Sequence, residues 1–316
     1  MAASPVPART APERLLLRLE WRVVRRLEGR LAGGYRTARR GTGIDLAGLR
    51  TYAEGDDARY IDWNVTARLN EPQLRLFNED RELTVWLVLD RSASMSAGPP
   101  GRGKHDVLTE LAVVLARLFT RTGNRVGALL YDNGAVVVVP PGSGRRHVLR
   151  IAAEVGREWH YPPVKAPRAK GRAPARGKVQ PTDLAAMLDA VAKLARRRAL
   201  IIVVSDFIGE GDWPRALLRL GPRHEVAALR VTDPADEELP EAGLVVVEDA
   251  ETGEQLVVDS GDPLLRARLR AAVEERDTAL AAGMARAGVP VHRIGTDADL
   301  AAALAAVVAS TRRRRA

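Results

Sequence analysis

Three oxygen-bearing side chains stand at alternate positions of one short segment, Asp90-Arg-Ser92-Ala-Ser94. Carboxylate and hydroxyl oxygens are the ligands that small, hard divalent cations prefer in proteins. The same residue types also cap helices and build turns without binding an ion, so the segment alone is a weak indication of a metal site. Its interpretation depends on the elements that position it and on the further ligands that those elements supply.

An alternation of apolar runs and amphipathic stretches begins at residue 82. Residues 83–89 predict a strand that is buried on both faces and ends at Asp90. Further strands are predicted at 125–131, 135–139, 199–205, 225–231 and 290–294, and helices at 106–120, 145–157, 182–197, 214–220, 263–287 and 298–310. This order predicts an α/β fold with a doubly wound, mostly parallel sheet. The Asp132-Asn-Gly134 turn predicts a hairpin that adds one antiparallel edge strand.

Two more oxygen ligands are predicted at the same edge of the sheet. Thr182 opens the helix that precedes strand 199–205, and Asp206 follows that strand directly. Ligands of open α/β sheets bind at the carboxyl ends of the strands, near the point where the strand order reverses. Two simpler interpretations stay open, in which Thr182 is a helix N-cap and Asp206 is a turn residue that caps the next helix. The candidate ligands for Mg²⁺, with Mn²⁺ and Ca²⁺ as alternatives, are Asp90, Ser92, Ser94, Thr182 and Asp206.

The composition of the 316-residue chain supports an oxygen-based site because the chain contains no cysteine. Disulfides, thiolate metal ligands and cysteine nucleophiles are therefore excluded. No stretch approaches the ~18 consecutive apolar residues of a membrane-spanning helix. The N-terminus also lacks the basic-then-apolar order of a signal peptide. We expect a soluble, cytoplasmic protein.

The net charge of +9 is unevenly distributed. Residues 161–179 contain six Lys or Arg and no acid, residues 312–315 are four arginines, and the first fifty residues carry eleven basic against four acidic residues. Residues 161–181 also lack periodicity and predict a mobile basic loop. Such segments are typical of solvated extensions, with contact to nucleic acid or anionic lipid as the alternative. Leucines three and four residues apart in 13–31 predict an amphipathic helix that packs on the body or on a partner.

The candidate ligands follow a known order. Asp-x-Ser-x-Ser, then a Thr, then an Asp resembles the pattern of the von Willebrand A domain, which this chain matches at all five positions. The resemblance implies a metal-ion-dependent adhesion site (MIDAS) that holds Mg²⁺. It also implies that the hydroxyls bind the ion directly, that the aspartates act mainly through water, and that an open coordination place accepts a carboxylate from a partner.

A second resemblance lies upstream, in residues 41–68, GTGIDLAGLRTYAEGDDARYIDWNVTAR. This segment closely resembles the signature of the DUF58 family, which runs directly into a von Willebrand A-like strand and Asp-x-Ser-x-Ser loop. The family resemblance implies a partner, a MoxR-type AAA+ ATPase, in systems that remodel other proteins, mature them or insert their cofactors. The chain itself has no Gly-x-x-x-x-Gly-Lys-Ser/Thr loop for ATP.

The predicted organisation has four parts: a basic amphipathic helix in 1–34, a signature segment docked on the main domain in 35–81, a von Willebrand A-like domain in 82–310 with a hairpin insertion at 243–258, and a basic tail in 311–316. Within the signature, Asp62 and Trp63 with Arg59 and Arg68 are candidates for buried pairs beside an aromatic anchor. We favour a structural role for the signature over a contact surface. An acid–base site at Asp56, Asp57 and Asp62 is disfavoured, since no His or Lys lies nearby in sequence.

Three functions remain to be compared. The first is a non-enzymatic, metal-dependent adaptor that works with a MoxR-type ATPase and captures an unknown client through an acidic residue. The second is a metal-dependent phosphohydrolase or nuclease, for which Ser92 replaces the second carboxylate that an aspartate-nucleophile phosphatase requires. The third is a nonspecific nucleic-acid binder, disfavoured by an aromatic content of 4%. We expect the first.

Overall fold

The computed structural model describes residues 11–19, 40–41, 45–53, 56–78, 83–96, 103–132, 134–157, 182–209, 211–239, 241–248 and 255–315. The chain divides into two compact units, of which the smaller is Arg30–Glu82 and the larger combines Met1–Gly29 with Leu83–Ala316. The predicted basic loop 161–181 lies outside the described residues. The described part of the chain resumes at Thr182, directly after this loop.

A six-stranded sheet forms the centre of the larger unit. Its strands are β4 (Thr84–Asp90), β5 (Arg125–Asp132), β6 (Ala135–Gly142), β7 (Ala199–Ser205), β8 (Glu225–Thr232) and β11 (Val291–Gly295). Their order in the sheet is β11-β8-β7-β4-β5-β6. All neighbours pair in parallel except β5 and β6, which form the predicted antiparallel edge hairpin. The prediction of a mostly parallel sheet is therefore confirmed.

The helices of the larger unit cover the sheet and bury its apolar side chains. Strands β4 and β7 are apolar and buried along almost their whole length, as expected for central strands of a parallel sheet. The helices are α1 (Ala11–Leu19), α3 (Ala93–Ser96), α4 (Lys104–Arg121), α5 (Gly144–Val155), α6 (Leu184–Leu194), α7 (Trp213–Leu220), α8 (Pro263–Ala287) and α9 (Leu300–Arg315).

The N-terminal helix α1 packs on the same unit, where it contacts α4 and α5. Leu16 and Leu19 of α1 are fully buried, which agrees with the first part of the apolar stripe predicted for 13–31, of which residues 20–31 lie outside the described ranges. The C-terminal helix α9 continues to Arg315, beyond the predicted end at residue 310. None of the helices in the described ranges combines the length and the apolar character that crossing a bilayer requires.

The predicted hairpin insertion forms a separate two-stranded antiparallel sheet of β9 (Leu244–Glu248) and β10 (Gln255–Asp259). In the smaller unit, β2 (Asp45–Thr51) pairs with β3 (Gln73–Asn78), and the short β1 (Arg40–Gly41) pairs with the other edge of β3. The helix α2 (Trp63–Leu69) connects β2 to β3 and packs on β3.

Candidate metal site

The candidate ligands lie where the strand order of the central sheet reverses. From β4 the chain adds β5 and β6 on one side and then crosses to β7 on the other side. Asp90 is the last residue of β4, and Asp206 follows the last residue of β7. Because β4 and β7 are parallel neighbours, both carboxylates lie at the carboxyl edge of the sheet, at its switch point.

Asp90 is fully buried and hydrogen-bonded through both of its carboxylate oxygens. Oδ1 accepts from the backbone N–H of Ser92 at 3.0 Å, and Oδ2 accepts from the Ser205 hydroxyl at 2.6 Å. Burial, followed by repulsion from the nearby carboxylate of Asp206, raises the pKa of Asp90 to about 7. This carboxylate therefore lies in surroundings that disfavour its charged form unless positive charge is close.

The hydroxyls of Ser92 and Ser94 point at each other from the turn after β4. Their Oγ atoms are 3.0 Å apart and both residues are buried. Two adjacent ligands of an octahedral Mg²⁺ ion, each about 2.1 Å from the metal, are about 3.0 Å apart. The two hydroxyls form a hydrogen bond, and the same separation is compatible with two adjacent ligands of an octahedral ion.

Arg91, between the first two candidate ligands, fixes the turn to a neighbouring helix. Its guanidinium donates to the carbonyl oxygens of Arg157 at 2.7 Å and Glu154 at 3.4 Å, at the C-terminal end of α5. The last carbonyls of a helix have no partner within the helix, and they interact well with a cation. Arg91 thus donates hydrogen bonds to carbonyl groups at the end of α5 and connects the turn after β4 to that helix.

Thr182 and Asp206 lie in two segments that pack against each other. Thr182 is fully buried, and its carbonyl oxygen would be 2.5 Å from a Cβ placed on Gly209, so only glycine fits there. The loop after β7 is held by two side-chain acceptors: Asp206 Oδ1 accepts from the N–H of Ile208, and the Ser205 hydroxyl accepts from the N–H of Phe207. Phe207 has a φ of +56°, an uncommon conformation for an aromatic residue.

The capping role in these two simpler interpretations is not observed, although Asp206 is a turn residue, because its Oδ1 accepts from the N–H of Ile208. The N-cap of α6 is Asp183, whose carboxylate accepts from the N–H of Ala186, so Thr182 lies one residue before the cap. The N-cap of α7 is Asp212, whose carboxylate accepts from the N–H of Arg215, so Asp206 does not cap that helix. Neither candidate ligand is used for capping, although both are buried.

Lys104 is a member of the site that the sequence interpretation missed. It is the first residue of α4, and its side chain is almost fully buried. Its Nζ donates to Asp206 Oδ2 at 2.9 Å and to Asp236 Oδ2 at 2.7 Å. Burial alone lowers the pKa of Lys104, but attraction to Asp206 and the hydrogen bonds to both carboxylates outweigh burial, and the pKa is raised. Lys104 is therefore a charged ammonium beside a candidate metal ligand.

The donor set fits a hard divalent cation in its chemistry. Two buried carboxylates and three buried hydroxyls share one edge of the sheet, and the 3.0 Å separation of the Ser92 and Ser94 hydroxyls is compatible with octahedral coordination. Within the described ranges, no group of three or more His, Cys, Asp or Glu has the arrangement of a metal site. An ion bound here depends on the serine and threonine oxygens.

The carboxylates of the signature segment have structural partners. Asp56 accepts hydrogen bonds from the two terminal guanidinium nitrogens of Arg50, and Asp57 forms an ion pair with Arg59. Asp62 caps α2 through the N–H groups of Asn64 and Val65. Hydrogen bonds from Arg50 to Asp56, from Arg59 to Asp57 and from Arg75 to Asp62 are the largest causes that lower the pKa of these three carboxyl groups. None is therefore suited to act as a general acid near neutral pH.

The expected buried pairs of the signature are wrong in their partners. Asp62 forms its ion pair with Arg75 on β3, at 2.9 Å, rather than with Arg59 or Arg68. Trp63 is 68% exposed and is not a buried anchor. Arg75 is 13 residues away from Asp62, and an isolated antiparallel β-bridge between Ile61 and Leu74 brings the two together, which the local spacing of the signature could not reveal.

Comparison with known proteins gives one family. Residues 48–279 match the model of "Protein of unknown function DUF58". Uncharacterised proteins of Mycobacterium tuberculosis and Mycobacterium bovis are each 38% identical to the chain over 299 residues, covering 93% of it and 88% of the relative. An uncharacterised protein of Mycobacterium avium is 35% identical over 52% of the chain and 95% of its own length.

Two solved structures also align with the chain. BatB from Bacteroides thetaiotaomicron is 15% identical, covers 73% of this chain and 99% of its own, and gives a TM-score of 0.44. An aerotolerance-related membrane protein from Bacteroides fragilis is 18% identical, covers 71% and 96%, and gives a TM-score of 0.41. The extent of the family match and the identity to the mycobacterial relatives show that the chain belongs to the DUF58 family.

Proposed function

We propose that this protein is a non-enzymatic adaptor with a von Willebrand A-like domain, which binds a partner through Mg²⁺ at a MIDAS. The observation that carries the proposal is the burial of all five predicted ligands at the switch point of the sheet. Oxygen-bearing side chains that serve only as caps or turn residues need not be buried together. These five are buried, and neighbouring aspartates perform the capping.

The residues of the chain divide the work of the site. Ser92 and Ser94 present two hydroxyl oxygens at the spacing of adjacent ligands. Asp90 and Asp206 supply negative charge close behind them, and Asp90 is oriented by the Ser205 hydroxyl. When bound, Mg²⁺ supplies a Lewis-acidic coordination place for a carboxylate oxygen of a partner. The chain adds no general base in this scheme, which fits recognition better than catalysis.

The family resemblance supports a partner of the MoxR-type AAA+ class, with a client protein that offers an Asp or Glu. Residues 98–105, Gly-Pro-Pro-Gly-Arg-Gly-Lys-His, have a His where a P-loop requires Ser or Thr, so ATP hydrolysis would be supplied by that partner. The basic residues of 161–179 would add long-range attraction to an acidic client surface. This division of labour makes the DUF58 chain the recognition component and the ATPase the motor.

A titration of purified protein with Mg²⁺ tests the metal site. We expect binding by calorimetry in the wild type and a loss of at least about tenfold in affinity for Ser92→Ala, because a direct ligand is removed. Ser143→Ala is the matched control: this serine is exposed, makes no capping hydrogen bond and follows β6 at the opposite edge of the sheet. Equal affinities for the two variants would contradict the proposal.

A capture experiment tests the partner. The wild type, immobilised in Mg²⁺, should retain a MoxR-type ATPase or client that is released by EDTA, whereas Asp90→Ala should retain neither. If the purified protein instead hydrolyses a generic phosphoester and Asp90→Ala abolishes this activity, the adaptor function is wrong and the phosphohydrolase is correct. Tight DNA binding that disappears when residues 161–179 are deleted would favour the nucleic-acid binder.

A further inference from the structure

The side chain of Lys104 is an unusual component of a cation site, because it is itself a cation. It is 1% exposed, and its ammonium lies between Asp206 and Asp236. These three residues come from the start of α4, the loop after β7 and the single-turn 3₁₀ helix Pro234–Asp236 after β8. Lys104 therefore connects the carboxyl ends of two central strands to the helix that follows the Ser92–Ser94 turn.

A lysine is unfavourable at the first position of a helix, so the helix itself does not explain why Lys104 stands there. The N-terminal end of a helix carries partial positive charge, so a cation at the first position is disfavoured unless an anion is near. A buried ammonium also needs partners for its hydrogens. Asp206 and Asp236 meet both requirements, and one of them is a candidate metal ligand.

The two carboxylates that hold the ammonium differ in their surroundings. The side chain of Asp206 is 2% exposed, whereas that of Asp236 is 28% exposed and lies outside the set of candidate ligands. Asp206 already accepts the N–H of Ile208 through Oδ1, so Oδ2 is the oxygen that Lys104 and a metal-bound water or metal ion would share. Asp236 can continue to accept a hydrogen bond from the ammonium of Lys104 when the carboxylate of Asp206 binds another cation.

We propose that Lys104 is a built-in competitor of the divalent ion: its ammonium neutralises Asp206 in the metal-free protein and retreats to Asp236 when the ion binds. The inference rests on the proposed metal site and describes how that site is regulated. Its physical basis is Coulomb repulsion between two cations that share one buried carboxylate, which is strong where little water can screen it. The ammonium lowers the affinity for the ion. Without a bound ion, it offsets the repulsion between the carboxylates of Asp90 and Asp206.

Two substitutions have opposite expected effects. Lys104→Met keeps an unbranched apolar stem of similar length and removes the charge, so Mg²⁺ affinity should rise by about tenfold or more. Asp236→Asn removes the negative charge of the alternative partner without changing a candidate ligand, so the ammonium of Lys104 is attracted mainly to Asp206 and Mg²⁺ affinity should fall severalfold. Affinities are measured by calorimetry with Mg²⁺ as the only titrant, beside Ser143→Ala as the neutral control.

A purely structural Lys104 predicts a different pattern, in which both variants lose stability and neither gains affinity. That result, with Asp90-dependent binding in the wild type, would overturn this inference and leave the metal site intact. If neither the wild type nor Lys104→Met binds Mg²⁺, the proposed function fails as well. If only Lys104→Met binds, and Asp90→Ala in that background abolishes binding, the competition is confirmed in its strongest form.

Folding of the variant needs its own control, since Lys104→Met leaves Asp206 buried without its ammonium. Lys104→Gln provides it: the amide is neutral but still donates a hydrogen bond to Asp206. Competition predicts higher Mg²⁺ affinity for both uncharged variants, and Lys104→Arg, which keeps the charge, should bind no better than the wild type. Weaker binding by a folded Lys104→Gln than by the wild type contradicts the proposal.

Discussion

Asp90 illustrates how one buried carboxylate can be stable in the fold and still be ready for a cation. Its two oxygens accept one backbone and one hydroxyl hydrogen, which partly replace the water that burial removed. The nearby carboxylate of Asp206 works in the opposite direction and disfavours a second negative charge. A group with this balance gains more from an incoming divalent ion than an exposed aspartate does, because less water competes.

Metal-free protein should therefore lose stability as the pH rises through neutrality. The pKa of Asp90 in the fold, about 7, lies above its ordinary value of 3.8. Because the fold favours the protonated form of Asp90, the contribution of this group to the free energy of unfolding is fully present below about pH 4 and is lost as the pH rises through about 7. The shift of roughly three units corresponds to at most about 4 kcal/mol. Urea unfolding in EDTA at pH 5 and pH 8 measures roughly two thirds of this loss, because the first part occurs between about pH 4 and pH 5.

Asp90→Asn is the comparison for that experiment, because the amide is nearly isosteric and does not titrate in this range. Burial also raises the pKa of Asp132, to about 6, so part of the pH dependence belongs to another group. The difference between the wild type and Asp90→Asn isolates Asp90. Parallel pH profiles for the two proteins would show that Asp90 is charged in the metal-free fold at both pH values.

The sequence was enough to select the candidate ligands, but it did not reveal the side chains that contact them. Asp90, Ser92 and Ser94 were found because alternate spacing after a buried strand is a local pattern. Ser205 and Lys104 were missed because their roles depend on contacts 115 and 102 residues away in sequence. The predicted helix began at residue 106, so the position of Lys104 at the first residue of α4, which the helix dipole disfavours, became visible only in the structure.

Among the elements, central strands were the easiest to predict and loop contacts the hardest. The run 199–205 matches β7 at both ends, because continuous apolar residues bounded by charged ones leave little choice. The start of α6 was placed at Thr182, two residues before Leu184, because Thr and Asp are both good capping residues and only the fold selects Asp183. The packing of the Thr182 segment on Gly209 has no sequence signal.

That packing gives a prediction for the loop after β7. Gly209→Ala puts a Cβ 2.5 Å from the carbonyl oxygen of Thr182, a backbone atom that cannot rotate away. We expect a loss of about 1–3 kcal/mol in the free energy of unfolding, together with weaker Mg²⁺ binding as Thr182 is displaced. Guanidinium unfolding and calorimetry measure the two effects.

Gly221→Ala is the matched control for Gly209→Ala, at the C-cap of α7. A Cβ there would have its nearest neighbour at 3.8 Å, an ordinary contact, so the stability should change by less than about 1 kcal/mol. If Gly209→Ala behaves like Gly221→Ala in both measurements, the close approach of the two loops is not a feature of the protein in solution.

At the scale of the whole chain, composition and charge constrained function less than the fold did. The net charge of +9 suggests an anionic partner, yet the best candidate site is a buried cation site built from acids and hydroxyls. The two descriptions are compatible because the basic residues are concentrated in a few segments, among them 161–179 and 312–315. Bulk charge affects encounter and solubility, whereas specificity depends on particular side chains.

The attachment of the N-terminal helix to the α/β body provides a test of the larger unit as a whole. Leu16 of α1 is completely buried, and α1 contacts α4 and α5. Leu16→Ala should lower the free energy of unfolding by about 2–5 kcal/mol, through lost burial and the cavity left behind. Leu218→Ala removes the same atoms from a side chain that is 48% exposed, and should cost less than about 1 kcal/mol. Denaturant unfolding compares the two variants, and equal losses would mean that α1 is not packed on the body in solution.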